Sequence, residues 1–178
     1  ADRLLAMQWP DGGWNCDKRL EARSSSVQET LIPLRGLAAW HRATGDKRSG
    51  AGARRAAEFL LQRRLLWRKG NDALIVPEWG GPVNQIHYPI RFYDVLSALL
   101  VMTEMGRVRD PRCRKALDLL EGKRLADGMF PVEWTNVKRA PRIVSRGTYA
   151  DWGPLQKKKG NLLVTIDALH VLREAGRS

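Results

Sequence analysis

Four carboxylates and a set of aromatic rings are the residues of this 178-residue chain whose types and spacing could do chemistry. Asp94, Glu29, Glu133 and Asp151 are the candidate catalytic residues, because carboxylates paired across a cavity can perform general acid and base work, for instance on a glycoside. Trp79, His87, Tyr88, Tyr93, Trp134 and Trp152 are the candidate ligand-binding residues, accompanied by Thr30, Glu78, Tyr149 and Asn161. Each candidate has a plain structural alternative. A carboxylate at a helix start caps free N–H groups and offsets the helix dipole, which suits Glu29 and Asp94, and a loop tryptophan often anchors its loop. His41 and His170 fall late in helical stretches and read as helix-end or packing residues, whereas His87 stands in a long loop and suits surface or site equally.

Helices must position these side chains, and the chain repeats them. A shift of 116 residues places Asp2 on Asp118, Leu4 on Leu120, Asp11 on Asp127, Gly12 on Gly128 and Trp14 on Phe130. A shift of 60 places Arg54 on Arg114, Ala56 on Ala116, Leu60 on Leu120 and Arg64-Leu65 on Arg124-Leu125, so three copies of one amphipathic helix are expected. A second kind of helix, rich in small and apolar residues, reads over Glu29–Thr44, Phe92–Met105 and Asn161–Ala175. Each ends at a glycine suited to a left-handed cap: Gly45, Gly106 and Gly176. Basic outer helices alternating with apolar inner ones, joined by short polar turns at Asp46–Ala51 and Arg107–Pro111, describe stacked antiparallel hairpins in one domain. Two longer connections, Trp67–Arg91 and Pro131–Gly160, carry most of the candidate site. No stretch alternates with the period of a strand.

Composition narrows the class. With 43% hydrophobic residues the chain can build a core, and its longest apolar stretch, Val95–Met102, is too short to cross a bilayer. Thirty-one Lys and Arg against nineteen Asp and Glu give a net charge of +12. The basic residues recur with Ala and Leu at helical spacing, as solvated outer faces do. Without a helix-turn-helix, zinc-finger or RNA-binding signature nucleic acid is disfavoured, while peripheral contact with an anionic membrane stays open. Cys16 and Cys113 form no framework, which makes a reducing, cytoplasmic setting the default expectation. Cys113 reads as a small buried residue and Cys16 as the cysteine to test for reactivity.

The stretch Gln8-Trp9-Pro10-Asp11-Gly12-Gly13-Trp14, with Leu4 ahead of it, matches a QxxxGxW repeat, or QW motif. On this motif and the repeated hairpins the chain resembles the α/α-toroid superfamily of terpene cyclases and protein prenyltransferases. Within it, the chain is most similar to bacterial proteins described as squalene cyclase-like or prenyltransferase-like. The resemblance implies an all-α fold of helical hairpins, with three hairpins making about half of an (α/α)6 barrel and upstream repeats missing. In the motif, Gln satisfies backbone groups at a helix end, Gly allows the turn and Trp covers the junction. The third copy is degenerate, with Arg124 and Phe130 replacing Gln and Trp.

The catalytic signatures of these families are missing. None of the eleven Asp residues forms D-x-D-D, the cluster acidic enough to protonate an alkene, and no two acidic residues are adjacent as D-D-x-x-D requires. At the segment similar to the prenyltransferase zinc site, Asp94 is followed by Leu96 where Cys is needed, and the partner helix Leu162–Asp167 supplies no His. No metal and no cofactor are therefore expected. What remains is a cavity for an apolar isoprenoid-like molecule, with a non-catalytic scaffold or a carbohydrate-active barrel as the alternatives. A homo-oligomer completing the ring is the expected protein partner.

Overall fold

The computed structural model describes residues 1–19, 21–77, 80–89, 92–139, 147–148 and 150–177, so Glu78, Trp79 and Tyr149 lie outside the described residues. The fold is all-α. Its helices are α1 (Asp2–Ala6), α2 (Val27–Thr44), α3 (Lys47–Leu61), α4 (Val95–Glu104), α5 (Arg114–Glu121) and α6 (Leu162–Glu174), with a 3-10 turn at Pro111–Cys113 leading into α5. A two-residue parallel pairing joins Lys138–Arg139 to Gly147–Thr148.

Polar caps start α2, α4 and α6. Ser26 Oγ accepts from Glu29 N, Asn161 Oδ1 accepts from Leu163 N and Val164 N, and Asp94 exchanges hydrogen bonds with Ser97 in a capping box. Because Ser26 caps α2, that helix begins at Val27, ahead of the expected Glu29. Gly45, Gly106 and Gly176 take the left-handed conformation expected of them, with φ of 74°, 65° and 76°.

The expected turn at Asp46–Ala51 is instead the opening of α3. Asp46 caps that helix through Arg48 N and Ser49 N, and Ser49, Gly50 and Gly52 are buried in it. A Cβ at Gly50 would overlap the His41 ring, and one at Gly52 would overlap Leu5. The glycines that resemble turn formers are there so that α3 can lie close against His41 of α2 and Leu5 of α1.

Packing orders the helices into a row. α4 touches both α2 and α6, while α3 packs on α2, α5 on α4 and α6, and α1 on α3. α3 buries Ala53, Ala56, Ala57 and Leu60, and the α5 segment buries Cys113, Ala116, Leu117 and Leu120 in the same register. Leu34, Leu37, Leu60 and Leu99 are wholly enclosed, each contributing roughly 2 kcal/mol of burial. The burial that apolar inner helices imply holds for α4 and not for the ends of the row. α2 leaves Ile32 and Trp40 in solvent, and α6 leaves Leu162, Leu163, Ile166 and Leu169 there. Part of the positive charge outside the row is paired. Arg112 joins Asp110 and Glu58 at 2.8 and 2.5 Å, and Arg64 and Lys115 share Asp72.

The 116-residue shift is also a repeated hydrogen-bonding pattern. Gly12 and Gly128 both have positive φ and close tight turns through Gly12 N to Trp9 O and Gly128 N to Leu125 O, each at 2.9 Å. The residue after each turn is then clasped to an inner helix. Trp14 N donates to Thr30 Oγ1 at 3.1 Å and Phe130 N to Thr165 Oγ1 at 2.8 Å. In return Ser26 N donates to Trp14 O at 2.9 Å, and Asn161 N to Phe130 O at 2.8 Å. Gln8 Nε2 donates to the carbonyls of Gly12 and Gly52, and the Trp14 indole donates to Leu4 O at 2.9 Å. The stretch thereby seals the end of α1 against α3.

Candidate functional site

The candidate residues fall into two clusters and one outlier. At the start of α4, Asp94 is 1% exposed and has both oxygens occupied, Oδ2 by His87 N and Oδ1 by Ser97 N, each at 2.6 Å. Burial raises its pKa, against the pull of His87 and of the donors around it. His87 is equally enclosed, and burial lowers its pKa. Its Nε2 lies 3.0 Å from Pro82 O, its ring packs 4.7 Å from that of Trp134, and Nδ1 has no hydrogen-bond partner. Gly81 backs Trp134 so closely that a Cβ would overlap the indole. Glu133 completes this cluster, accepting from Ile86 N at 2.8 Å and pairing with Lys123 at 2.7 Å.

These groups tie the chain around Ile86 to α4 and to the segment after Phe130, and their polar atoms are largely spent on that task. Asp94 lines none of the three surface depressions described below. Tyr93 is likewise enclosed, its hydroxyl donating to Leu65 O at 2.6 Å, and burial pushes its pKa far above the ordinary value. The second cluster joins Tyr88 edge-on to Trp152, while Asn161 Nδ2 donates to Trp152 O at 2.7 Å. Asp151 stands exposed and accepts from Gly153 N at 3.0 Å. Glu29 is the outlier. Half-buried on α2, it accepts from Cys16 N at 3.2 Å. Thr30 is buried in the clasp already described.

Open space lies elsewhere, and at residues the sequence did not single out. A groove of about 990 Å³ runs between α1, the Gln8–Trp14 turn and α2, lined by Leu4, Met7, Trp9, Pro10, Trp14 and Pro33. A cleft of about 720 Å³ lies beside the start of α2, between Ser24–Glu29 and a wall bearing Arg63, Arg68 and Lys69. Asn15, Cys16 and Glu29 border both. Cys16 is exposed there, and its hydrogen bond with Glu29 raises the thiol pKa above its usual value. Cys113 is buried, as expected, and burial pushes its pKa up to about 12. A shallower depression of about 400 Å³ between α2 and α4 is crossed by the Arg35–Glu104 ion pair, so that face is charged as well as apolar. Only the prolines and the glycine-turn tryptophans could have hinted at the groove, because its lining between Leu4 and Pro33 comes together only when the turn docks α1 beside α2.

Among the described residues, no three His, Cys, Asp or Glu side chains stand close enough to share a metal ion. No described helix is long and apolar enough to cross a membrane. The fold and these surfaces define an all-α protein of packed helices. No protein-family model, curated protein or solved structure matches the chain.

Proposed function

We propose that this chain is a helical-repeat binding module that takes up an apolar, isoprenoid-sized molecule in the groove between α1 and α2. The groove itself carries the reading. Its volume of about 990 Å³ lies at the upper end of ordinary ligand sites, its walls are Leu4, Met7, Trp9, Trp14 and Pro33, and Met7 is 58% exposed within it. The twice-built clasp supports a hairpin-repeat architecture of the α/α-toroid kind, with three hairpins amounting to about half a ring. The ligand would then sit at the edge of the helical row and not at its centre, where Arg35 and Glu104 meet. Catalysis is left out of the proposal because Asp94 and Glu133 are engaged by backbone N–H groups.

The test is native mass spectrometry of the purified protein, followed by farnesol titration read through tryptophan fluorescence. A co-purified lipid or a saturable blue shift is expected, weakened about tenfold by Met7→Asp, which sets a charge among the groove's apolar walls. Repeated absence of both signals in the wild type would overturn the reading.

A second reading, an assembly module, is favoured by α6. Leu162, Leu163, Ile166 and Leu169 are 64%, 44%, 54% and 42% exposed on a helix that continues the α2–α4–α6 row of contacts. We infer that a second copy covers this flank, since the row at its other end offers Met7, Pro33 and the apolar groove. Sedimentation of the wild type at rising concentration should show a dimer that Ile166→Glu dissociates. A strict monomer throughout would remove this reading.

A further inference from the structure

We propose that the cleft beside the α2 N-terminus binds a small phosphate-bearing anion, held by Arg63, Arg68 and Lys69 and by the first free N–H groups of α2. Four observations converge there. Arg63 is half-buried, with its guanidinium 3.8 Å over the Phe59 ring and one N–H donating to Phe59 O at 2.9 Å. Unlike Arg35, Arg64, Arg112 and Arg177, it has no carboxylate within ion-pair distance among the described residues. A half-buried cation without a counter-charge is costly, and an anion in the cleft would offset that cost. Burial accordingly pulls the Arg63 pKa below its ordinary value, with Asp11 opposing at longer range.

Arg68 and Lys69 stand on the same wall, exposed, and likewise without an ion-pair partner among the described residues. Across the cleft, Ser26 Oγ takes Glu29 N, while no described acceptor takes the N–H of Val27 or Gln28. These point from the positive end of an 18-residue helix. Of the two carboxylates in the lining, Asp17 is paired with Arg19, which leaves Arg63, Arg68 and Lys69 set against the single carboxylate of Glu29, itself bonded to Cys16 N.

Phosphate fits this donor set better than a lone carboxylate. A planar guanidinium can bind two of its oxygens, an ammonium supplies a point charge and backbone N–H groups complete the shell. The cleft, at about 720 Å³, has room for an organic group beyond the phosphate. A soluble phosphate ester and a phosphate lipid headgroup share this chemistry.

The experiment is calorimetric titration of the intact protein with pyrophosphate and, in parallel, flotation with vesicles of phosphatidylcholine alone or containing phosphatidic acid. Saturable pyrophosphate binding is expected, weakened about tenfold by Arg63→Gln and by the exposed pair Arg68→Gln/Lys69→Gln. Arg54→Gln/Arg114→Gln removes the same charge from exposed positions away from the cleft and should leave binding within about twofold. Flotation with phosphatidic acid that pyrophosphate displaces identifies the lipid source; pyrophosphate binding without flotation identifies a soluble ester. Failure of saturable binding, equal weakening by the charge-matched pair, or flotation that pyrophosphate does not displace would overturn the proposal. Met7→Asp leaves pyrophosphate binding unchanged, so this site and the apolar groove stand or fall separately.

Discussion

Replacing Thr30 or Thr165 by valine tests whether the repeated clasp holds the hairpins together. Valine keeps the branched shape, so no cavity opens, and the change removes the acceptor of a buried N–H together with the hydroxyl's own donation to Ser26 O or Asn161 O. Thr30 Oγ1 receives Trp14 N at 3.1 Å and Thr165 Oγ1 receives Phe130 N at 2.8 Å. The residues left with an orphaned N–H are 6% and 0% exposed, too enclosed for water to replace the hydroxyl freely. A buried amide without a partner costs about 1–3 kcal/mol. The longer bond at Trp14 puts Thr30→Val near 1–2 kcal/mol, and the shorter one at Phe130 puts Thr165→Val near 2–3 kcal/mol. The clasps share no partners, so the double variant should show the sum within about 0.5 kcal/mol. Urea unfolding followed by circular dichroism reads this as a lower midpoint with unchanged slope. Thr103→Val is the control, since Thr103 Oγ1 only donates to Leu99 O from a half-buried position, and should stay within about 0.5 kcal/mol. If Thr30→Val or Thr165→Val also lies within that margin, the clasp is not what joins the hairpins.

Two further outcomes follow from the charges. Asp110 has its pKa held well below the usual carboxylate range, by Arg112 first and Arg107 after it. Its stabilisation is therefore fully present above its unfolded pKa of about 4 and is lost as pH falls from there toward the folded value. Asp110→Asn keeps a capping oxygen but loses the ion pairs, costing about 0.5–1 kcal/mol near neutrality. Melting curves should show that gap shrinking below about pH 4, and a gap independent of pH would contradict the assignment. Glu29 raises the Cys16 thiol pKa, so Glu29→Gln should speed alkylation at mildly alkaline pH, with buried Cys113 silent. Equal rates in the two proteins would refute the link.

What the sequence announced was local. Glycine caps and the amphipathic registers of α3 and α5 depend on residues within a turn or two of one another, and Gly45, Gly106 and Gly176 adopt the expected conformation. Composition misled at Asp46–Ala51, since Gly50 and the nearby Gly52 serve close packing on α2 and α1, a need that only tertiary contact reveals. The candidate site suffered similarly. Asp94 has the residue type of a catalyst, but its oxygens answer N–H groups of His87 and Ser97. The pairing of His87 with Trp134 spans two long connections whose course local pattern cannot give. Arg63, Arg68 and Lys69 read as three more charges on a basic chain. Their meaning emerges only where the start of α2 turns to face them across the cleft.

The clasp also bears on how such a chain can change. Its two halves are joined by Trp14 to Ser26 in one instance and by the much longer stretch from Phe130 to Asn161 in the other, yet the hydrogen bonds at the ends are the same. Ends pinned by the same four groups make the length between them nearly free, because closing a longer loop costs little once its feet are set. New segments grafted between Trp14 and Ser26 would then alter the rim of both clefts while leaving the helical row intact, so the module separates the part that holds shape from the part that can acquire a new specificity.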